Sequence, residues 1–563
     1  MRSPLPFLLG LFFIWTKGAG ASDPNLPFME YLDQDHMVCL KWGFDNPQGT
    51  ITFELVVNTT GWVGLGFSPN GGMIGADIVI GGVGPDGRYF ADYHGKGKFM
   101  PVLDEQQSYT LLSLNESEGQ TSMTFQRSIL SCDFNDLPID AQNMKLIYAY
   151  GWTDDISYHQ TRRGTKEVNL LNYVPRTTLT NLNYLSVTMD NVTIPHNTYY
   201  HCKVMQFQNL DPKKTYYINQ IEPVIEHLDI VHHMLLYRCP SFVKVPYNKE
   251  CYMGDIGDAC FSVVAAWGVG GRGYELPENV GIPVGGADSD TYYRLEIHYN
   301  NPNNLTGMTD SSGLRLYYNT AQPRDEVGIL TTGILPHGML NYNIPPKANQ
   351  FHTYGVCNTS LLSQLLDPVP ELQVFAVLLH THLAGRKIRV GHYRNGQQID
   401  FLALNEQYNF EIQQFASLGS IKNIKPGDEI AVECTYNTID RTNVTRMGLS
   451  TTDEMCLAFL FYYPAINIAT CVSHPNTSMS EDVTTSDPDK IAAQETFLKT
   501  LPQLQYVSDD NYNFAYIRKG TVREMMETPK LTCRETSAAS RLCTSWIMNF
   551  AKIIVLLLWI AIM

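Results

Sequence analysis

His380 and His382, in Leu378-Leu379-His380-Thr381-His382-Leu383-Ala384-Gly385, offer two imidazoles at a spacing that suits one metal ion. The apolar run before them, Val374-Phe375-Ala376-Val377, predicts a buried strand. Side chains at i and i+2 of a strand project from one face, so both rings can grip the same ion. Imidazole suits copper, zinc, iron and nickel alike, and further ligands must decide the metal.

Three other places could supply them. In Val231-His232-His233-Met234 the two histidines are adjacent. They reach one ion only where the backbone twists or bulges; otherwise one is a core histidine and the other a surface one. In Tyr293-Arg294-Leu295-Glu296-Ile297-His298-Tyr299 the strict alternation places His298 on the polar face with Arg294 and Glu296. Met455 follows two acids in Asp453-Glu454-Met455-Cys456 at a strand entrance. A methionine there either fills core or offers a soft thioether that favours Cu(I) over zinc. A disulfide through Cys456 would hold that strand from its other face.

The elements that must position these residues are strands. Residues 35–153 carry short apolar alternations between glycine-rich turns, such as Ile51-Thr52-Phe53-Glu54-Leu55-Val56-Val57, which predicts a β-sandwich. Residues 190–315 and 330–475 repeat that pattern and predict two more, so the fold class is all-β. From Ser473 to Lys490 the composition turns to Ser, Thr, Asp and Pro, which predicts a solvated connection inside a C-terminal extension, 476–545. Thr496 to Thr532 shows no clean period.

The ends and the composition set the compartment. Residues 1–21 read as a secretion signal: Arg2, an apolar run from Leu5 to Trp15, then Ala19-Gly20-Ala21. Seven Asn-x-Ser/Thr sites follow, at Asn58, Asn115, Asn191, Asn304, Asn358, Asn443 and Asn476, as in a glycoprotein. Twelve cysteines without Cys-x-x-Cys fit disulfides better than a zinc cage. Residues 546–563 are apolar apart from Asn549 and Lys552, and as a helix at ~1.5 Å per residue they approach the minimum bilayer span. A single-pass membrane anchor is expected there, with a cleaved lipid-anchor signal as the alternative. The net charge of −16 argues against a nucleic-acid partner. Oligomerisation is left open.

The set His232-His233, His298, His380-Thr381-His382 and Met455 resembles that of the copper type II, ascorbate-dependent monooxygenases. The segments Gly64-Leu65-Gly66-Phe67-Ser68-Pro69 and Ala76-Asp77-Ile78-Val79-Ile80-Gly81-Gly82 resemble a DOMON domain. The whole layout is similar to the dopamine β-hydroxylase-like monooxygenase proteins, the second kind in particular. That resemblance implies a DOMON-like sandwich followed by two jelly-roll-like copper domains. It implies one copper on His232, His233 and His298 for electron transfer. It implies a second on the catalytic residues His380, His382 and Met455, where dioxygen reacts. Ascorbate would be the reductant and the product an alcohol. The family pattern also implies the pairs Cys202–Cys251, Cys239–Cys260, Cys357–Cys471, Cys434–Cys456 and Cys132–Cys533.

Where the peptide-amidating relative has Arg, Asn and Tyr, this chain has Leu378, Leu457 and Phe459, so a peptide carboxylate finds no charged partner. Ala348 stands where the amine-hydroxylating relative has an acid. Gln373 replaces a frequent histidine that is not a ligand. The expected substrate is a small, rather apolar molecule. The alternative is a non-enzymatic copper- or ligand-binding membrane glycoprotein on the same scaffold.

Overall fold

A computed structural model describes residues 26–45, 49–139, 144–171, 183–195, 198–207, 210–211, 213–271, 273–277, 279–286, 291–301, 305–334, 342–477, 486–518 and 520–527. The expected signal (1–21), the expected anchor (546–563), Cys533 and Cys543 lie outside them. Among the described residues no helix is long and apolar enough to cross a membrane.

Strands dominate, stacked in pairs of sheets as the alternation requires. The first sandwich sets a five-stranded sheet (Phe28–Tyr31, Val38–Asp45, Thr50–Val57, Gln120–Ser128, Tyr109–Ser117) against a six-stranded one centred on Val63–Ser68 and Asp77–Gly84. Trp42, Phe53, Leu65, Phe67, Val79, Phe125 and Leu146 fill the space between.

In the second sandwich a five-stranded sheet runs Tyr247–Glu250, Tyr199–Met205, Tyr293–Tyr299, Val231–Arg238, Ser262–Gly268. Its partner sheet includes Asn183–Thr188, Gly313–Asn319, Thr215–Val224 and Val280–Gly285. In the third, a seven-stranded sheet runs Ala416–Ile424, Leu372–His380, Leu457–Tyr463, Gly328–Ile334, Thr470–Pro475, Gln503–Ser508, Phe514–Arg518. A four-stranded sheet of Phe351–Asn358, Glu429–Tyr436, Gly385–Arg394 and Gln397–Asn405 faces it.

The stretch expected to be a solvated connection departs from that reading at both ends. Ser473 and His474 are buried in a strand, and Pro488–Thr500 is a helix capped by Asp487. Two strands after it complete the seven-stranded sheet.

The second and third sandwiches share one apolar core. Leu236, Ile297 and Leu316 of the second belong to the same buried cluster as Phe375, Leu457, Phe459, Phe461 and Tyr463 of the third. At the seam Tyr274 stacks on Phe415, with ring centroids 4.3 Å apart and an interplanar angle of 2°. Leu378, Leu457 and Phe459, read from sequence as possible pocket walls, are packed into this core.

Four of the five disulfides that the resemblance implies are present: Cys202–Cys251, Cys239–Cys260, Cys357–Cys471 and Cys434–Cys456. They are bonds of an oxidising compartment. Cys39 is a free thiol.

Candidate metal centre

The strand Val231–Arg238 is bulged where sequence alone left the question open. Its register against Tyr293–Tyr299 shifts between Val231 and His233, and this turns both histidines to one side. His233 then pairs with His298 across the sheet. The Nδ1 atoms of His232 and His233 lie 3.3 Å apart, and those of His233 and His298 3.4 Å apart. One nitrogen from each of the three rings lies within 4.8 Å of the other two.

The outer nitrogens are engaged elsewhere. His232 Nε2 lies 3.3 Å from the Phe410 carbonyl, and its ring stacks on Phe410 at 3.8 Å. His298 Nε2 lies 3.2 Å from the Thr451 hydroxyl, and its ring stacks on Tyr200 at 4.3 Å. With Nε2–H of His232 donated outward, its Nδ1 presents a lone pair inward.

His298 does not sit on a solvent face. Every residue from Tyr293 to Tyr299 is buried. The polar side of this strand is an internal layer in which Arg294 pairs with Glu296 at 3.3 Å, and Glu296 accepts from the Tyr252 hydroxyl at 2.6 Å.

His380 ends the strand Leu372–His380, and His382 follows in the turn to the strand Gly385–Arg394. His380 Nδ1 donates to Gln413 Oε1 at 2.7 Å, and His382 Nδ1 donates to the Asp453 carbonyl at 3.2 Å. Both rings therefore keep Nε2 free as an acceptor. His382 Nε2 is buried without a hydrogen-bond partner, an arrangement that costs stability unless something occupies that lone pair.

Glu454 fixes the turn: its carboxylate accepts from the backbone N–H of His382 at 2.9 Å and of Ala384 at 2.6 Å. Burial pushes Glu454 up to about 8. Met455 follows directly; it is buried, its carbonyl accepts from the Tyr436 hydroxyl, and its strand is tied through Cys456 to Cys434.

The two histidine groups adjoin. The rings of His233 and His380 are 5.1 Å apart, and those of His298 and His382 6.4 Å. Burial pushes His232 down to about 3 and His380 to about 4, and holds His233, His298 and His382 well below the ordinary imidazole range. Neutral imidazole is the form that binds a metal. Lone pairs of buried neutral rings, converging with no hydrogen to share among them, fit a soft transition metal.

The five histidines singled out in the sequence are thus brought to one region, and Met455 follows Glu454, whose carboxylate holds the His382 turn. Sequence reasoning missed Phe410, Gln413, Thr451 and Glu454, which orient the rings. Their only signal was the Asp-Glu pair before Met455.

The chain matches three family models. Residues 185–306 match the copper type II ascorbate-dependent monooxygenase N-terminal domain, residues 326–484 its C-terminal domain, and residues 34–151 the DOMON domain. The chain is 36% identical over 487 residues to DBH-like monooxygenase protein 1 of Mus musculus, covering 84% of this chain and 78% of that protein. It is 37% identical over 486 residues to DBH-like monooxygenase protein 2 of the same species, covering 84% and 77%. Dopamine beta-hydroxylase of Bos taurus is 31% identical over 473 residues, covering 81% and 77%. Both copper domains in order behind a DOMON domain, and likeness to such enzymes over about four fifths of the chain, make this chain a member of the copper type II, ascorbate-dependent monooxygenases, an enzyme family that uses copper, with ascorbate as reductant and dioxygen as co-substrate.

Proposed function

We propose that the chain hydroxylates a C–H bond of a small, largely apolar molecule, with two copper ions held by its own six residues. His232, His233 and His298 hold one through Nδ1. His380 and His382 hold the other through Nε2, with Met455 beside them. Bound copper supplies one-electron redox chemistry and the activation of dioxygen. In the overall balance one oxygen atom enters the C–H bond and the other leaves as water, with two electrons and two protons from ascorbate.

The observation that carries this reading is the pattern of nitrogens. Three Nδ1 atoms converge on one side, and an unpartnered Nε2 stands on the other. The rest of the chain keeps them so. The Phe410 carbonyl, Gln413 and the Asp453 carbonyl each take the outward N–H of a ring, which fixes the tautomer that leaves the inner lone pair available. Glu454 holds the His382 turn in place through two backbone N–H groups.

Leu378, Leu457 and Phe459 are packed in the shared core and Ala348 is buried as well, so these positions supply no charged partner for a peptide carboxylate or an amine. Residues 35–153, 190–315 and 330–475 are read as the DOMON-like domain and the two copper domains. A lumenal or extracellular setting with a C-terminal membrane anchor is part of the same reading.

The test is copper content and ascorbate-driven oxygen consumption, measured on the secreted protein and on Met455→Ala. Two coppers per chain, with uptake that collapses in Met455→Ala, are the expected result. Equal, negligible uptake in both forms would sink it.

A further inference from the structure

The loop between the strands Gln397–Asn405 and Ala416–Ile424 is irregular, yet Tyr408, Phe410 and Gln413 are buried. A loop this deep must find partners for its polar groups. It finds them on both sides of the seam. Tyr408 hydroxyl donates to the Thr381 carbonyl at 2.8 Å and accepts from Thr381 N–H at 3.1 Å. Gln413 Oε1 accepts from His380, its Nε2 donates to the Phe410 carbonyl at 2.9 Å, and its backbone N–H donates to the Val269 carbonyl at 2.8 Å. Val269 N–H in turn donates to the His232 carbonyl at 2.7 Å. Gln414 Nε2 adds a bond to the Gly270 carbonyl at 2.8 Å.

The opposing turn, Gly268-Val269-Gly270-Gly271, is built to receive this loop. A Cβ at Gly268 would lie 2.6 Å from Gln413 Cβ, and one at Gly270, whose φ is +79°, would lie 3.0 Å from the Glu411 carbonyl. Only glycine admits so close an approach.

We infer that the segment from Phe410 to Gln413 is an interdomain latch, and that Gln413 is a positioning residue for both histidine groups; this rests on the copper reading above. Because Nε2 of Gln413 is committed to the Phe410 carbonyl, Oε1 must face His380, which fixes His380 as the Nδ1–H tautomer. The same carbonyl receives Nε2–H of His232. Gln413 therefore sets the free nitrogen of His380, and through the Phe410 carbonyl it holds, the acceptor that sets that of His232. With the latch shut all six residues are buried, so its release governs access to them.

The test uses the full chain with three substitutions. Gln413→Leu removes both side-chain bonds. Gln413→Glu keeps the acceptor for His380 but cannot donate to the Phe410 carbonyl. Gly268→Ala pushes the loop off by crowding Gln413 Cβ, with the amide group of Gln413 itself unchanged. In metal-free protein with unchanged far-ultraviolet circular dichroism, amide exchange at Val269 and Gln413 is expected to rise at least tenfold in Gln413→Leu and Gly268→Ala.

Copper affinity at the His380 half-site falls about 10- to 100-fold in Gln413→Leu, the usual scale for losing a ligand's orienting partner. It is expected to return to within about threefold of wild type in Gln413→Glu. Unchanged exchange in both loop variants overturns the latch whatever the copper does. Wild-type exchange protection with fewer than two coppers bound overturns the copper reading alone.

Discussion

The imidazoles of His233 and His380, from two different sandwiches, meet edge to face with ring centroids 5.1 Å apart and an interplanar angle of 81°. The two half-sites are therefore neighbours. Losing His233 is expected to remove one copper per chain and also to alter the Cu(II) spectrum of the remaining ion. Metal analysis and electron paramagnetic resonance of His233→Ala check this; a remaining spectrum identical to wild type would show the half-sites to be independent.

The Cys434–Cys456 bridge holds the strand that begins just after Met455 and closes a short loop. Replacing both cysteines with alanine is expected to lower stability by about 3 kcal/mol, the scale for a loop of this length. The His380 half-site should lose copper affinity while the His232 half-site keeps it. Thermal melts and copper titrations at each half-site would separate these two effects.

Arg294 is fully buried against Glu296. Glu296→Ala leaves the buried guanidinium with only the more distant Asp258 carboxylate at 3.8 Å and is expected to cost roughly 3 kcal/mol. Arg294→Met combined with Glu296→Leu removes both charges and should recover most of that loss. Denaturant unfolding of the two variants and the wild type makes the comparison, and a double variant as unstable as the single one would refute it.

Asp92 lies in the first sandwich, where burial pushes its carboxyl up to about 8. Its folded value is above the ordinary one, so the folded state holds a proton that the unfolded chain has released across the window from about 4 to about 8. The stability it contributes is complete at the acid end and is lost as pH rises through 8. Asp92→Asn is expected to flatten that slope and to unfold at a higher temperature than wild type at pH 8.5. A melting series from pH 5 to 8.5 reads it directly.

The histidine candidates were legible in the sequence because their spacing is local. His-Thr-His follows a strand-like run, His298 falls on an alternating register, and Met455 sits beside a cysteine. Adjacent His232 and His233 needed a bulge, and the register shift supplies it. Alternation separates the two sides of a strand but does not say which is solvated. The Arg294–Glu296 pair lets charged residues line an internal layer, so His298 is buried where a polar pattern would place it outside. Gln413 and Phe410 were invisible for a different reason. They act from an aperiodic loop on rings in distant segments, and no local pattern encodes such a contact. The two late strands Gln503–Ser508 and Phe514–Arg518 were hidden because a polar run separates them from the sheet they complete.

The apolar core shared by the second and third sandwiches has a consequence for inheritance. Cut anywhere between Asn319 and Gly328, either fragment would present to water the aromatic faces of Tyr274 or of Phe415 and Phe461 that now cover each other. A gene carrying one fragment is expected to encode a chain prone to association, so the two halves are expected to be inherited together as one module.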